Sequence, residues 1–371
     1  MMSPMAKRKT KTSAPAAGEP MTYRDSGVDI EAGDKMVEGI RSLVARTYTP
    51  RVEGSFGGFA GLFSLDFREK LLKRNYKDPV LVACCDGVGT KLKVAFMSGK
   101  LDTVGIDLVA MNVNDLICTG GEPLLFLDYV AVGRLDPDRM REIVAGVSAG
   151  CVESGAALLG GETAEMPDFY KADEFDLAGF AVGVVERRKA IDGSHVKAGD
   201  AVIGLASTGL HYNGYGLARR VIFDRGKFKL SDTPPELEGA TVGEAMLEPT
   251  RIYVKPVLDV LAAYKSRRVV KALAHITGSG LPGNLPRVLP EGLTARIKRS
   301  SWTVPGIFQL IARTGPVDQV EMFRVFNMGI GFVMVVSPTH ADAVMARLRK
   351  AGVTSWLIGK IVRGGEELQW A

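Results

Sequence analysis

Short apolar segments rich in Val, Ile and Leu alternate along the chain with longer segments in which apolar residues recur at helical spacing. The pattern predicts strands at VLVACC (80–85), LLFLDYVAV (124–132) and DLAGFAVGVV (176–185), and helices over 104–118 and 137–157. Asp136 is suited to cap the second helix, and Pro137 fits its first turn. This alternation predicts an α/β fold with mixed α+β character.

A charged connector, ERRKAIDGSHVKAGD (186–200), separates this first half from a second round of strands and helices. We therefore predict a domain boundary near residue 187, with an N-terminal domain over 21–187 and a C-terminal domain over 188–361. Residues 1–20 are predicted to be a disordered basic tail and 362–371 a short C-terminal tail. The elements predicted in the second half are strands over 201–207, 269–276, 329–337 and 355–362, and helices from Met246 to Tyr264 and from His340 to Ala351.

Composition is typical of a folded globular protein, with 371 residues, 46% hydrophobic and 24% charged. No apolar stretch approaches the roughly 18 residues of a membrane span, and we expect a cytoplasmic protein without a membrane partner. The four cysteines lack C-x-x-C spacing and are predicted to be reduced thiols rather than zinc ligands. The net charge of +5 comes in part from the basic tail. No basic stripe interleaved with aromatics follows, so we expect no nucleic-acid partner.

The stretch DGVGTK (86–91) follows the first predicted strand. It is not a Walker loop, because Gly87 and Gly89 are one residue apart and Thr90 precedes Lys91. An aspartate at a strand end, followed by glycines that allow close backbone approach, can hold Mg²⁺ and phosphate together. A strand-ending turn with solvated side chains is an equal alternative for this stretch alone.

The helix predicted within GIDLVAMNVNDLICTGGEP (105–123) has a polar face formed by Asp107, Asn114 and Asp115. Such a face can simply be solvated. It contains no Lys or Arg, however, whereas solvated faces usually mix both signs of charge. Oxygen ligands without a counter-charge are typical of a site for a hard divalent cation.

Two further glycine-rich clusters lie in the first half. GGETAEMPDFY places Glu162 after a glycine pair, and SFGGFAGLF (55–63) is a flexible loop able to fold over a nucleotide. No histidine precedes His195. Several glycine loops with acids and no histidine favour metal-assisted phosphoryl transfer over a histidine-based triad.

The second half contributes different chemistry. STGLHYNGYG (207–216) and HITGSGLPGN (275–284) each combine a histidine with hydroxyls, asparagine and glycines. A lone histidine is more often structural, but two of the chain's four histidines lie in these two loops. We predict that the loops bind a sugar phosphate and a polar amide.

At this point the chain resembles the phosphoribosylformylglycinamidine cyclo-ligase (AIR synthetase) family. The resemblance extends over residues 23–361 and is carried, in order, by YRDSGVDIEAGDK, GGFAGLF, DGVGTKLKVA, GIDLVAMNVNDLICTGGEPLLFLDY, GGETAEMPDFY, STGLHYNGYGL, EPTRIYVKP, HITGSGLPGNLPRVLP and FNMGIGF. It implies a two-domain AIR synthetase-like subunit in a homodimer, whose N-terminal domains join their strands into a barrel with ATP near the interface.

The implied reaction is the ATP-dependent ring closure of formylglycinamidine ribonucleotide in purine synthesis. ATP would phosphorylate the formyl amide oxygen, a substrate nitrogen would attack, and phosphate would leave as the imidazole forms. The alternative is a related small-molecule kinase or selenophosphate-type synthetase that uses the same ATP site. HYNGYG and HITGSG favour the cyclo-ligase.

The resemblance also implies roles for individual residues. His211, Lys91 and Asp107 are the expected catalytic residues. The other expected sites are, for Mg²⁺, Asp86, Asp107, Asp115 and Glu162; for ATP, Gly57, Gly58, Phe59, Gly61, Asp86, Gly87, Gly89, Thr90 and Lys91; and for the substrate, His211, Asn213, His275, Thr277, Gly278 and Gly280. Ser279 stands where the family usually has a third glycine, and Gly283 where it usually has an acid.

Overall fold

The computed structural model describes residues 28–53, 56, 60–65, 76–365 and 368–371. Its strands are β1 Val52–Glu53, β2 Leu62–Phe63, β3 Pro79–Gly87, β4 Glu122–Val132, β5 Ala157–Glu165, β6 Phe175–Glu186, β7 Ala201–Ala206, β8 Val270–His275, β9 Leu293–Ile297, β10 Ile330–Val336, β11 Ser355–Arg363 and β12 Leu368–Trp370. Its α-helices are α1 Ile30–Ala45, α2 Leu92–Ser98, α3 Asp102–Ile117, α4 Pro137–Ser154, α5 Tyr215–Arg219, α6 Val242–Leu247, α7 Val254–Ala263, α8 Gly280–Asn284, α9 Gly306–Thr314, α10 Gln319–Val325 and α11 Ala341–Lys350.

The first half of the chain builds a mixed sheet of four strands, in the order β3-β6-β4-β5, among the described residues. The β4–β5 pair is parallel and the others are antiparallel. Side chains alternate between the two faces, so Leu177 and Ala181 of β6 are buried while Phe180 points outward. Helices α3 and α4 cover the buried face. They cross closely at Gly105 and Gly146, where a Cβ on Gly146 would lie 1.8 Å from the Asp102 carbonyl oxygen.

The second half builds a sheet with the order β12-β9-β11-β7-β10-β8, again among the described residues. Every residue of β10 is buried, and β7 is almost as deeply placed, because both strands lie inside the sheet with helices over them. This is why their sequences are continuously apolar rather than alternating. The architecture is therefore mixed α/β with two domains, as predicted.

Most of the predicted elements are confirmed. Asp136 caps α4 as expected, its carboxylate accepting from the backbone N–H groups of Asp138 and Arg139. The prediction of one helix from Met246 to Tyr264 is wrong, because the chain forms α6 and α7 with a non-helical segment between them. Pro249 explains the break, since proline lacks a backbone donor and disfavours helical geometry in the residue before it.

The C-terminal end also differs from the prediction of a tail over 362–371. Strand β11 runs to Arg363, and β12 pairs in parallel with β9 through Leu368–Trp370. The Trp370 ring lies 4.7 Å from that of Phe323, so the strand is also held by packing. The tail predicted over 1–20 lies outside the described residues. In the part of the chain that is described, no helix is long and apolar enough to cross a membrane.

Candidate active site

A polar pocket of about 300 Å³ opens where β3 leads into α2 and meets loops of the second domain. Such a volume lies at the lower end of the range for small-molecule sites. The lining residues from the first domain are Asp86, Gly87, Val88, Gly89, Thr90 and Asp115, and those from the second are Tyr212, Asn213, Gly214, Tyr215, Gly216 and Thr277. The structure thus brings together DGVGT with both histidine-containing loops.

The DGVGTK stretch forms the floor of this pocket. Asp86 is the second-to-last residue of β3, and its Oδ1 accepts a 2.8 Å hydrogen bond from the Gly87 N–H. Burial raises the pKa of Asp86 and the nearby Asp115 carboxylate raises it further, although the Gly87 hydrogen bond opposes both. Gly89 has φ +67°, and a Cβ there would meet no atom within 4 Å. The turn therefore leaves open space above the backbone beside the exposed Thr90.

Asp115 projects from α3 into the pocket and is held by His275. Its Oδ1 lies 2.8 Å from His275 Nδ1, and its side chain is 46% exposed, whereas the imidazole is 1% exposed. The other ring nitrogen, Nε2, takes no part in this contact. That Nε2 is buried and has no hydrogen-bond partner among the described residues. His275 therefore lies behind Asp115 and orients it, rather than facing the pocket itself.

The loop over residues 277–280 is braced by Asn284, which was not among the predicted site residues. Its Nδ2 donates to the carbonyls of Gly278 at 2.9 Å and Gly280 at 2.8 Å, and Thr277 Oγ1 donates to its Oδ1 at 3.2 Å. A Cβ on Gly278 would lie 3.4 Å from Asn213 Oδ1, so the two loops touch. Thr277, Gly278 and Asn213 therefore lie close together, and their binding of substrate stays a prediction.

Lys91 and Asp107 depart from their predicted contacts with ligand and metal, because both side chains are 0% exposed and pair with each other. Lys91 Nζ lies 2.7 Å from Asp107 Oδ2 and donates to the carbonyls of His211 at 2.9 Å and Glu248 at 2.8 Å. An ammonium has three donors, and all three are used. Burial lowers the pKa of Lys91 and raises that of Asp107, and the ion pair opposes both shifts.

Asp107 also accepts from Thr250, at 2.8 Å from its backbone N–H and 2.6 Å from its hydroxyl. On the same helix Asn114 accepts from the Tyr253 N–H and donates to the Arg251 carbonyl. The polar face of α3 was predicted as a cation site. Much of it instead forms hydrogen bonds to the segment between α6 and α7 of the second domain.

His211, expected to transfer a proton, is buried beneath the pocket rather than lining it. Its Nε2 accepts from the Thr208 N–H at 3.3 Å, and the residue has φ +60°. Burial lowers its pKa well below 6.5, and positive charge on His275 and Lys91 lowers it further. The imidazole is therefore held neutral and does not line the pocket in which it was expected to transfer a proton.

Glu162 and Gly61 lie on the far edge of the first sheet. Glu162 is an exposed residue of β5, and a Cβ on Gly61 would lie 2.5 Å from Leu159 Cγ of the same strand. Strands β6 and β4 separate β5 from β3, so Glu162 and Asp86 lie on opposite edge strands of the sheet. Gly57, Gly58 and Phe59 lie outside the described residues. No group of three or more potential metal ligands occurs in the described part of the chain.

The cysteines are unpaired among the described residues, as predicted. Cys84 Sγ donates to the Asn112 carbonyl, and burial together with the Asp115 charge raises its pKa to about 12. Burial and Asp115 also raise the pKa of Cys118. These thiols remain protonated and unreactive beside the pocket.

Both halves of the chain match family models. The model described as AIR synthase related protein, N-terminal domain, matches residues 72–185, and the corresponding C-terminal domain model matches residues 197–371. The chain is 55% identical to the phosphoribosylformylglycinamidine cyclo-ligase of Myxococcus xanthus, over 93% of this chain and 97% of that protein. It is 51% identical to the protein of that name from Thermodesulfovibrio yellowstonii, over 94% and 98%.

Solved structures support the same fold at lower identity. The chain is similar to thiamine-monophosphate kinase from Stenotrophomonas maltophilia, with a TM-score of 0.63 and 17% identity over 91% of this chain and 95% of that one. It is also similar to the hydrogenase maturation protein HypE in complex with ATP, with a TM-score of 0.61 and 16% identity over 89% and 87%. At these identities the likeness shows the fold alone.

Proposed function

Because this chain belongs to the phosphoribosylformylglycinamidine cyclo-ligase family, we propose that the pocket beside Asp86 is where it closes the imidazole ring in purine biosynthesis. The reaction converts formylglycinamidine ribonucleotide and ATP to 5-aminoimidazole ribonucleotide, ADP and phosphate. One observation carries the assignment: a single pocket is lined both by the DGVGT turn and by the loops containing Asn213 and Thr277.

The arrangement suits a reaction that needs positioning and charge stabilisation more than covalent catalysis by the protein. We propose that the backbone around Gly89 and the Thr90 hydroxyl hold the phosphates of ATP, where the turn leaves open space. Asn213 and Thr277 supply amide and hydroxyl groups for the substrate from the opposite wall. Transfer of the γ-phosphoryl group to the formyl amide oxygen makes that carbon a better electrophile. The substrate nitrogen then attacks it, and phosphate leaves.

The residues facing the pocket fit a magnesium ion. Asp86 and Asp115 line the same space, where burial and the charge of Asp115 both raise the pKa of Asp86. Mg²⁺ commonly binds one or two carboxylates together with substrate phosphates. We propose Asp86 and Asp115 as its protein ligands, with His275 holding Asp115 in place. The ion would neutralise charge on the phosphoryl oxygens.

We further propose that the protein acts as a homodimer. The outward face of the first sheet carries a row formed by Cys85, Phe180 and Leu127, all exposed although two are large and apolar. Two such sheets facing each other, with β3 of each beside β5 of the other, would close a barrel of eight strands. That closure would bring Glu162 and Gly61 of one subunit toward Asp86 of the other. It would explain why the predicted ATP residues lie on opposite edges of one sheet.

A coupled assay with ATP, Mg²⁺ and formylglycinamidine ribonucleotide tests the proposed site. Wild-type protein should release ADP and aminoimidazole ribonucleotide in equal amounts. Asp86→Asn should lower turnover by about 100-fold or more, because it removes charge where phosphate and cation meet. The matched control is Asp342→Asn on the exposed side of α11, which should retain wild-type turnover.

Two results would contradict the proposal. Full turnover of a folded Asp86→Asn variant would place the reaction elsewhere. Release of ADP without the imidazole would instead favour the alternative of a small-molecule kinase that phosphorylates another acceptor.

A further inference from the structure

A second and larger cavity, of about 590 Å³, lies at the junction of the two domains. Its walls come from the connector after β6, from the end of α7 and from the start of β8, with Tyr76 and Gly120 added from the first domain. It shares no lining residue with the pocket beside Asp86. Its volume is within the range of sites that enclose a small organic ligand.

The lining of this junction cavity is strongly cationic. Glu186 is the acidic residue of the lining. Six other lining residues are basic: Arg188, Lys189, Lys265, Arg267, Arg268 and Lys271. Glu186 is already engaged, because its carboxylate accepts from the backbone N–H groups of Lys77 and Asp78. The cavity therefore presents a net positive charge to any ligand that enters it.

Two of the six cations have structural partners, and four do not. Lys271 pairs with Asp200 at 2.6 Å, and Arg268 Nη2 donates to the Arg188 carbonyl at 2.7 Å. Arg188, Lys189, Lys265 and Arg267 have no carboxylate within ion-pair distance among the described residues. These four exposed side chains are free to converge on an anion.

The interior wall is apolar and aromatic rather than polar. Its aliphatic members are Val185, Ile191, Leu261 and Val270, and two tyrosine rings complete it. The Tyr264 ring packs edge-on against His340 at 5.6 Å, and Tyr76 donates to Glu122 at 2.9 Å, so each ring is fixed from behind. A flat ring system can pack on this surface while its charged end meets the cations.

The cavity is also held in shape by contacts between its walls. The connector is fixed to the first domain, with the Ile191 N–H donating to the Thr119 carbonyl at 2.9 Å and Arg187 pairing with Asp78 at 2.8 Å. Arg268 and Lys271 attach the same connector to β8 and the residues before it. A ligand would therefore meet a preformed site that both domains build.

We propose that this junction cavity is a second ligand site, separate from the active site, for a small molecule that joins an aromatic heterocycle to phosphate, as a nucleotide does. The cations would bind the phosphate, and the apolar wall with its tyrosines would pack against the ring. A ligand with only one of these parts would therefore use only part of the site. Because the walls belong to both domains, occupancy would also stabilise their relative placement.

Titration calorimetry with AMP, adenosine and inorganic phosphate tests the inference on the full-length protein. AMP should bind more tightly than either fragment. The cavity variant, Arg188→Ala/Arg267→Ala, should lower the affinity of the junction cavity for AMP by about tenfold or more, since it removes two charge-assisted donors. The variant Arg188→Lys/Arg267→Lys should retain most of the affinity. Arg349→Ala/Lys350→Ala, on the exposed end of α11, is the matched control for loss of two charges.

Any binding of AMP in the active site contributes equally to the isotherms of the cavity variant and the control variant. The difference between the two isotherms therefore reports binding in the junction cavity. Turnover at saturating ATP and substrate should be unchanged in both, which also shows that both are folded. Identical AMP isotherms for the wild type and the cavity variant would overturn the proposal. Equal weakening in the cavity and control variants would also overturn it, because it would show only non-specific attraction to a basic protein.

Discussion

At the level of single residues, the side chain of Ser279 accounts for the glycine at position 283. Ser279 has φ +74°, and a Cβ on Gly283 would lie 2.3 Å from the Ser279 Cβ. A side chain at 279 therefore requires glycine at 283, whereas the family pattern of glycine at 279 leaves room for an acid at 283. We expect Gly283→Ala to cost about 2 kcal/mol more in the natural background than in Ser279→Gly. Urea unfolding of the wild type, the two single variants and the double variant measures this coupling, and additive effects would contradict it.

Asp128 on β4 gives a pH dependence to stability. Burial raises its pKa to about 7 from an ordinary value of 3.8, and its charge helps to raise the pKa of the buried Cys151. The folded state thus keeps a proton that the unfolded chain releases, so stability falls as pH rises from about 4 to 7. Asp128→Asn should remove this fall and stabilise the protein at pH 8 by about 3 kcal/mol. Denaturant titrations at pH 5 and 8 check it.

The control for Asp128 is Asp342→Asn, which changes an exposed carboxylate of α11. It should leave the pH dependence as in the wild type. An Asp128→Asn variant with an unchanged difference between pH 5 and pH 8 would assign that difference to other groups.

At the scale of elements, the Lys91–Asp107 pair joins α2 and α3 to the segment between α6 and α7. Removing one partner leaves the other charge buried and unpaired. We expect Lys91→Met or Asp107→Asn to lower the free energy of unfolding by about 3–5 kcal/mol each. The double variant should be less destabilised than the sum, because both charges are then gone. Chemical denaturation of the wild type, the two single variants and the double variant measures this difference in the free energy of unfolding.

The same variants decide between two roles for Lys91. If Lys91 positions the domains, stability and turnover fall together in Lys91→Met and partly recover in the double variant. If Lys91 instead contacts the triphosphate, as the sequence resemblance implied, turnover falls without a change in unfolding and does not recover.

At the scale of the whole molecule, the exposed row on the first sheet predicts the oligomeric state. Phe180 is 40% exposed at the centre of that row, so Phe180→Glu should place a charge inside the proposed barrel and shift the protein to monomers. Val320→Glu, 67% exposed on α10, is the matched control and should not change the assembly. Sedimentation velocity distinguishes the two, and an unchanged mass for Phe180→Glu would exclude this face.

Much of the fold followed from periodicity. The strand β3, the capped helix α4 and the fully buried β10 were all predictable, because alternating or continuous apolar runs and cap residues act locally. The break between α6 and α7 was also encoded locally, by Pro249, but the apolar pattern on both sides masked it. The strand β12 was missed because a three-residue strand has little local signal and forms by pairing with β9.

Local patterns and motifs were enough to predict the two α/β domains, the family and the polar residue types of the site. Which of those polar groups face the pocket depends on how the two domains pack together. Asp107 and Asp115 lie on one helix, yet Asp107 is buried in an ion pair with Lys91, whereas Asp115 lines the pocket. Helical spacing places both on the same face, and the physical difference arises only where the second domain covers part of that face.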